Sequence, residues 1–244
     1  MEVYQNRCSI SVIIPTKNEA KNLPYVLPRL PACVSEVILV DGNSSDNTVE
    51  VAQQLYPSIC IIKQQKTGKG GALLEGFAAA TGEIIVMLDA DGSADPTEIE
   101  RFVEPLQHGY DFAKGSRFMK GGKSHDITLL RRTGNFALQQ VVNLLFGTRF
   151  SDLCYGYNAF RRHCLERIDI HCEGFEIESL LNIRVHLAGL KITEVPSVEY
   201  PRIHGMSNLR AFKDGWKILK LILQEHSGKR RFGHTLPHLQ HNTL

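Results

Sequence analysis

Short apolar runs alternate with segments whose apolar residues recur every three or four positions over the first half of the chain, from Ser9 to Lys114. That alternation is the signature of repeated strand–helix–strand units over a parallel sheet, buried on both faces. The runs predict strands at 10–14, 37–40, 59–63, 84–88 and 111–114. Between them the pattern predicts helices near 20–30, 47–56, 70–80 and 96–107, the last opened by Pro96 at a helix N1 position. The fold class is α/β, with a mostly parallel central sheet and helices on both faces.

The second half breaks the rhythm. Helical periodicity returns at 129–146, 176–188 and 208–225, a strand is expected at 191–200, and 151–161 is mixed. The expected organisation is one domain over 1–226, with a ligand-binding half at 9–115 and a substrate-completing half at 116–226. Residues 227–244 are polar and basic and read as a disordered tail. With 43% hydrophobic and 22% charged residues in 244, the chain has enough apolar content to build a full core without staples. A net charge of +2 gives no whole-molecule argument for nucleic acid. The six cysteines form no CxxC pair and no zinc-finger spacing, which suits a reducing cytoplasm. Residues 1–7 are polar and no stretch approaches the roughly 18 to 20 apolar residues of a membrane span, so membrane contact is expected to be peripheral.

The candidate chemistry sits where the predicted strands stop. Asp89-Ala90-Asp91 ends the run at 84–88. Two carboxylates there suit Mg²⁺ or Mn²⁺, which keep several waters and share their remaining positions with substrate phosphates. Asp89, Asp91, Ser93, Asp95, Thr97 and Glu100 also match the ligand spacing of an EF-hand, but Ala94 and Pro96 stand against its turn and the entering segment is a strand. Pro15 to Glu19, Asp41 to Thr48 and Lys66 to Gly71 follow the other strands as loops feeding helices, where backbone N–H groups and the helix dipole favour anions. Asp46 reads equally as a helix N-cap or as a ligand. A P-loop is excluded by Lys63 and Gly70 at positions that need Gly and Ser or Thr, and a dinucleotide fingerprint by the lack of Gly after the first strand.

Ile13-Ile14-Pro15-Thr16-Lys17-Asn18-Glu19, Val40 to Thr48, Gly68-Lys69-Gly70-Gly71-Ala72-Leu73 and Leu88-Asp89-Ala90-Asp91 together resemble the family 2 glycosyltransferases of GT-A fold. Asp152 to Arg162 and Arg202 to Asn208 are similar to the polyprenyl (dolichyl) phosphate sugar transferase branch, especially the dolichyl phosphate mannose synthases. The resemblance covers roughly residues 9 to 225. It implies that Pro15, Thr16, Glu19 and Asp41 border the nucleoside, Lys69 the base or diphosphate, and Asp89 and Ala90 the ribose and metal. Asp91 would hold the metal, with Ser93 where relatives often carry Gln. Gly42 and Asn43 replace the second Asp and the Gly of the family's usual Val-Asp-Asp-Gly-Ser.

The implied acceptor is a polyprenyl phosphate, with Arg117 and Arg131 on its phosphate, Arg202 and His204 in the late loop, and Arg132 and Asn135 beside them. Arginine's planar fork suits phosphate oxygens. The implied reaction is an inverting, Mg²⁺- or Mn²⁺-dependent transfer of a hexose from a nucleotide diphosphate sugar, GDP-mannose first among donors. A phosphate acceptor is already anionic; a hydroxyl acceptor would need a base, for which Asp152 is the candidate. A soluble transferase acting on a small molecule or glycan, and a binding module without catalysis, remain as alternatives. The stripe Leu209, Phe212, Trp216, Leu219 and Leu223, flanked by Arg210, Lys213, Lys217 and Lys220, either packs on its own domain or lies on an anionic membrane. Leu129-Leu130 and Leu144-Leu145-Phe146 pose the same choice.

Overall fold

A computed structural model describes residues 8–206 and 209–232, with side chains as far as 228. The first half runs β1 (Ile10–Thr16), α1 (Leu23–Val26), β2 (Glu36–Asp41), α2 (Thr48–Leu55), β3 (Cys60–Lys63), α3 (Gly68–Ala79), β4 (Ile84–Met87), α4 (Ile99–Gln107) and β5 (Phe112–Ser116). The second half runs β6 (Lys123–Ser124), α5 (Leu129–Phe146), β7 (Asn158–Arg161), α6 (Cys164–Arg167), α7 (Ile177–Leu187), β8 (Ile192–Pro196), β9 (Val198–Glu199) and α8 (Ala211–Phe232).

Seven strands form one sheet in the order β3-β2-β1-β4-β7-β5-β8, and β6 and β9 form a small second sheet. All pairings are parallel except those of β7, which runs antiparallel between β4 and β5. The central strands are buried on both sides, which is why their sequences read as unbroken apolar runs rather than alternating ones. Alternate side chains nevertheless serve two different cores. Ile10, Val12, Ile14, Ile84 and Val86 pack with Leu23, Phe102, Val103 and Leu106 on one face. Ile13, Ile85 and Met87 pack with Leu73, Phe77, Ile177 and Leu181 on the other. A third cluster (Val142, Phe146, Phe150, Leu153, Ile183, Ile218 and Ile222) joins α5, α7 and α8.

Several expectations shift. The helix expected at 20–30 is only α1 and a following 3₁₀ turn at Leu27–Arg29, because Pro24 and Pro28 each remove a backbone donor. Pro96 opens a 3₁₀ turn rather than the helix itself, with the Asp95 side chain accepting from the Thr97 N–H at 2.9 Å. The mixed segment at 151–161 supplies β7, whose Ala159 and Phe160 are buried between β4 and β5. The single strand expected at 191–200 is split at Ser197 into β8 and β9. The last helix continues to Phe232, six residues past the expected domain boundary at 226, so the tail does not begin at 227; residues 233–244 lie outside the described ones.

Parallel register brings the strand ends level. Thr16 pairs with Asp41 across β1 and β2, and Ile13 with Met87 across β1 and β4, so the loops after β1, β2 and β4 all emerge on one edge. That edge is where open α/β sheets bind ligands. The helix α3 lies close on this sheet: a Cβ on Gly76 would stand 2.3 Å from Ile13 Cγ2. Gly76→Ala is therefore expected to force α3 off the sheet and destabilise the protein by about 1–3 kcal/mol, read by thermal or denaturant unfolding.

Candidate functional site

A crevice of about 860 Å³ opens at the carboxyl ends of β1, β2 and β4. Pro15, Thr16, Glu19, Lys69, Asp89, Ala90, Asp91, Ser93, Arg117, Arg131 and Arg202 all line it. Pro15 and Thr16 end β1, Lys69 and Arg131 stand in the first turns of α3 and α5, and the other seven come from loops that follow strands.

Its floor is a set of carboxylates held by two cations. Lys69 Nζ lies 2.7 Å from Asp89 Oδ1 and 2.9 Å from Glu178 Oε1. Arg202 places Nη2 2.9 Å from Asp91 Oδ2 and Nη1 2.9 Å from Glu19 Oε1. Burial works against the charge on Lys69, but Asp89 and Glu178 outweigh it and hold the ammonium protonated well above its ordinary range. Burial raises the carboxyl of Glu178 above its usual range against the pull of Lys69, and raises Glu19 against the pulls of Asn22 and Arg202. Asp91 Oδ1 also accepts from the Ser93 N–H at 2.9 Å, which fixes the turn after β4.

The Lys69 loop is shaped by close backbone packing. A Cβ on Gly68 would stand 2.0 Å from the Glu173 carbonyl, one on Gly70 would stand 2.5 Å from that of Cys172, and the Gly70 N–H donates to Glu173 O at 2.9 Å. The glycines thus let α3 approach the 172–174 backbone, and the lysine between them turns toward Asp89. This brings α7 and its Glu178 into the crevice wall. Glu178 escaped the sequence reading because its neighbours Ile177, Leu180 and Leu181 are core residues; the available signal was a carboxylate within an apolar helix. Gly156 was missed too: a Cβ there would meet Lys69 Nζ at 3.0 Å and Asp89 Oδ2 at 3.2 Å.

Two expected site residues are engaged with neighbouring groups of the protein. Asp41 accepts the Ser44 N–H on both oxygens, at 3.2 and 3.3 Å, and so shapes the loop whose Gly42 and Asn43 line the crevice. Asp152 has no exposed surface. It holds Arg117 in a two-pronged ion pair, with Nε–Oδ2 2.8 Å and Nη2–Oδ1 3.1 Å. Burial would raise its carboxyl, but the Arg117 guanidinium and then Lys114 hold it below the usual carboxylate range. Arg117 also binds Glu199 through Nη1 at 3.0 Å and stacks over Tyr155 at 4.8 Å. With two carboxylates on one guanidinium, Arg117 braces β5 to the 152 loop and β9.

Arg131 is differently placed. Its nearest carboxylate is Asp126, at 4.0 Å. It stands where the polar crevice meets an apolar groove of about 360 Å³ between α5 and α8, lined by Leu130, Leu138, Phe212 and Ile218 among others. Asn135, one turn along α5, lines the same groove; its Oδ1 accepts from the Leu153 and Cys154 N–H groups, while its buried Nδ2 has no partner. Cys154 borders both spaces, its thiol pushed up to about 12 by burial and so neutral. His204 is exposed; its backbone N–H and carbonyl are held by the Asn22 side chain. Arg132 stands over the Phe118 ring at 5.6 Å, outside both spaces.

The apolar stripe of α8 also resolves. Ile218 and Ile222 pack inward, whereas Phe212, Trp216 and Leu223 are 80%, 69% and 50% exposed. Three residues of the stripe are therefore turned outward while Leu209 and Leu219 are half-buried, and Leu129 and Leu144 of α5 are likewise turned out, at 77% and 84%.

Solved structures share this architecture. Glucosyl-3-phosphoglycerate synthase from Mycobacterium tuberculosis, in complex with Mg²⁺ and uridine diphosphate, superposes with a TM-score of 0.70 at 20% identity over 90% of this chain and 80% of that one. A mycobacterial protein of unstated function gives 0.73 at 19% identity, over 90% and 75% of the two chains. The fold is that of the GT-A glycosyltransferases. A family model described as glycosyl transferase family 2 matches residues 11–169, and the chain belongs to that family. It is 32% identical to a dolichol-phosphate mannosyltransferase of Pyrococcus furiosus over 82% of this chain, although it spans only 59% of that protein's length. It is also 32% identical to a polyprenol monophosphomannose synthase of Mycolicibacterium smegmatis over 81% of this chain and 80% of that protein, and 31% identical to the glycosyltransferase AglJ of Haloferax volcanii over 85% and 68%.

The buried Arg117 pair gives a stability test. Asp152→Ala leaves a buried guanidinium half-compensated and is expected to cost about 3–5 kcal/mol in urea unfolding. Because the folded carboxyl is depressed, its contribution is complete above the unfolded pKa of about 4 and is lost as pH falls below it toward the lower folded value. The acid limb of the wild-type stability curve should accordingly be steeper than that of Asp152→Asn.

Proposed function

We propose that this glycosyltransferase moves a hexose, with inversion, from a nucleotide diphosphate sugar to the phosphate of a polyprenyl phosphate, and that GDP-mannose is its donor. The observation that carries the acceptor is the junction at Arg131: a polar crevice passes directly into an apolar groove, with one lightly compensated arginine and the unpartnered Asn135 Nδ2 beside it. That sequence of surfaces matches an anionic head on an apolar chain. The names of the Pyrococcus and Mycolicibacterium relatives support the same acceptor and the mannosyl donor.

The donor set also fits a divalent cation. Asp89 and Asp91 offer two hard carboxylates at the crevice floor, a set that suits an ion whose remaining positions go to water and substrate phosphates; among the described residues no group of three or more His, Cys, Asp or Glu converges as a full metal cage, here or elsewhere. A bound Mg²⁺ or Mn²⁺ would offset the charge developing on the departing nucleoside diphosphate. Around it the protein's own groups do the positioning. Pro15 and Thr16 wall the crevice beside β1, and Lys69 and Arg202 hold the two aspartates in place. Arg131 and Asn135 are placed to orient the acceptor phosphate for in-line attack. No base is needed for such a nucleophile, consistent with Asp152 serving Arg117 instead.

The outward apolar residues of α8 and α5 flank the groove, and Lys213, Lys217 and Lys220 lie beside the α8 stripe. No described helix is long and apolar enough to cross a membrane. This face suits peripheral contact with an anionic lipid surface, which would present the acceptor at the groove mouth.

The decisive assay offers GDP- and UDP-sugars with Mg²⁺ or Mn²⁺, with and without a short polyprenyl phosphate, and follows lipid-linked sugar. Transfer only to the lipid phosphate is expected, and Arg131→Ala should lower kcat/KM for it by about 10- to 100-fold. Sugar transfer to a hydroxyl acceptor instead would sink the lipid assignment. Sedimentation with vesicles rich in anionic lipid should capture the wild type, and Trp216→Glu should reduce the bound fraction several-fold.

A further inference from the structure

The two aspartates of the crevice floor are held by the same device twice. Asp89 is bound by Lys69, whose other side is bound by Glu178; Asp91 is bound by Arg202, whose other side is bound by Glu19. Each aspartate therefore faces a cation that is itself shared with a glutamate from elsewhere in the fold. Glu178 comes from α7 and Glu19 from the loop after β1, and both are under 10% exposed.

The outer glutamates matter because of what the cations alone would do. A divalent ion bound to Asp89 at about 2.1 Å would sit within about 5 Å of the Lys69 ammonium, and one bound to Asp91 would sit similarly near the Arg202 guanidinium. A lysine–aspartate or arginine–aspartate pair is neutral and offers such an ion no net attraction. With Glu178 and Glu19 included, four carboxylates oppose two cations, leaving two negative charges across the six groups: the complement of one divalent ion. Arg117 does not disturb this balance, since Asp152 and Glu199 already compensate it.

We propose that Glu178 and Glu19 are positioning residues that make the Asp89–Asp91 pair competent for a divalent cation, by neutralising Lys69 and Arg202 while leaving both cations in place to hold the aspartates. This inference rests on the metal-dependent reading above. It assigns to the two lysine- and arginine-bound glutamates a role in cation affinity rather than contact with the reacting atoms.

Direct Mn²⁺ uptake, followed by the electron paramagnetic resonance signal of free Mn²⁺, tests it in the presence of GDP and, separately, UDP. Glu178→Gln keeps a hydrogen-bond partner for Lys69 but removes the charge, and is expected to weaken uptake about tenfold or more. The double variant Lys69→Gln with Glu178→Gln restores the charge balance around Asp89, and is expected to recover uptake to within about threefold of wild type. A purely structural role for Glu178 would leave the double variant as weak as the single one, and that result overturns the proposal. So does uptake by Glu178→Gln equal to that of wild type. Glu19→Gln with and without Arg202→Gln repeats the test on the second arm, and serves where a Glu178 variant fails to fold. Wild-type protein that takes up no Mn²⁺ with either nucleotide would overturn the metal-dependent reading itself, an outcome distinct from unchanged uptake in the variants.

Discussion

Like charges crowd the carboxyl edge of the sheet, and the fold of both halves of the chain is organised around relieving that crowding. Asp89 and Asp91 follow β4 directly, and Glu19 follows β1 at the same edge. Carboxylates this close cannot all ionise without cations among them. The cations come from distant sequence: Lys69 from the first turn of α3, Arg202 from the loop after β9. Both have most of their side chains covered, at 14% and 20% exposure. The ion pairs are thus partly desolvated, where each is stronger than at a surface and an unmatched member is costlier.

A second ionic knot stands behind the first. Arg117 ties β5 to the 152 loop and to β9, and Glu199 also accepts from the Ser124 hydroxyl, so the small β6–β9 sheet is bound to the main one through side chains as well as backbone. Arg117 and Arg131 both border the crevice and the apolar groove, but they are held differently: Arg117 faces the carboxylates of Asp152 and Glu199, whereas the carboxylate beside Arg131 is Asp126 at 4.0 Å.

The α/β class and the strands that end at the crevice were legible because doubly buried strands produce apolar runs that end at polar loops, as with Ile84 to Met87 before Asp89. Three things were not legible, each for a physical reason. β7 is antiparallel and central, and Asn158 at its start pairs with Met87 rather than with solvent, so its four residues lack the long apolar run of its neighbours. Asp152 resembles a candidate base in sequence because burial and its guanidinium partner are tertiary facts. The stripe on α8 could face either way, because the helix has two apolar faces: Ile218 and Ile222 on one side, Phe212, Trp216 and Leu223 on the other. Periodicity detects a stripe and does not say which of two is inside.

The outward stripe and the acidic floor are linked by a short stretch of chain. Arg202 grips Asp91, the Ile203 N–H reaches Asp91 O at 3.4 Å, and the His204 N–H and carbonyl are both bound by the Asn22 side chain. Tyr200 N–H donates to Ser93 O at 2.8 Å, so the segment lies along the turn that carries the aspartates. Seven residues after His204 the chain enters α8, whose Phe212 and Ile218 wall the apolar groove. Arg202 at the crevice and α8 at the groove are therefore close neighbours in sequence. The proposed amphiphilic acceptor requires a polar and an apolar surface side by side, and Arg202 on the one and Phe212 and Ile218 on the other supply them from nearby positions in the chain.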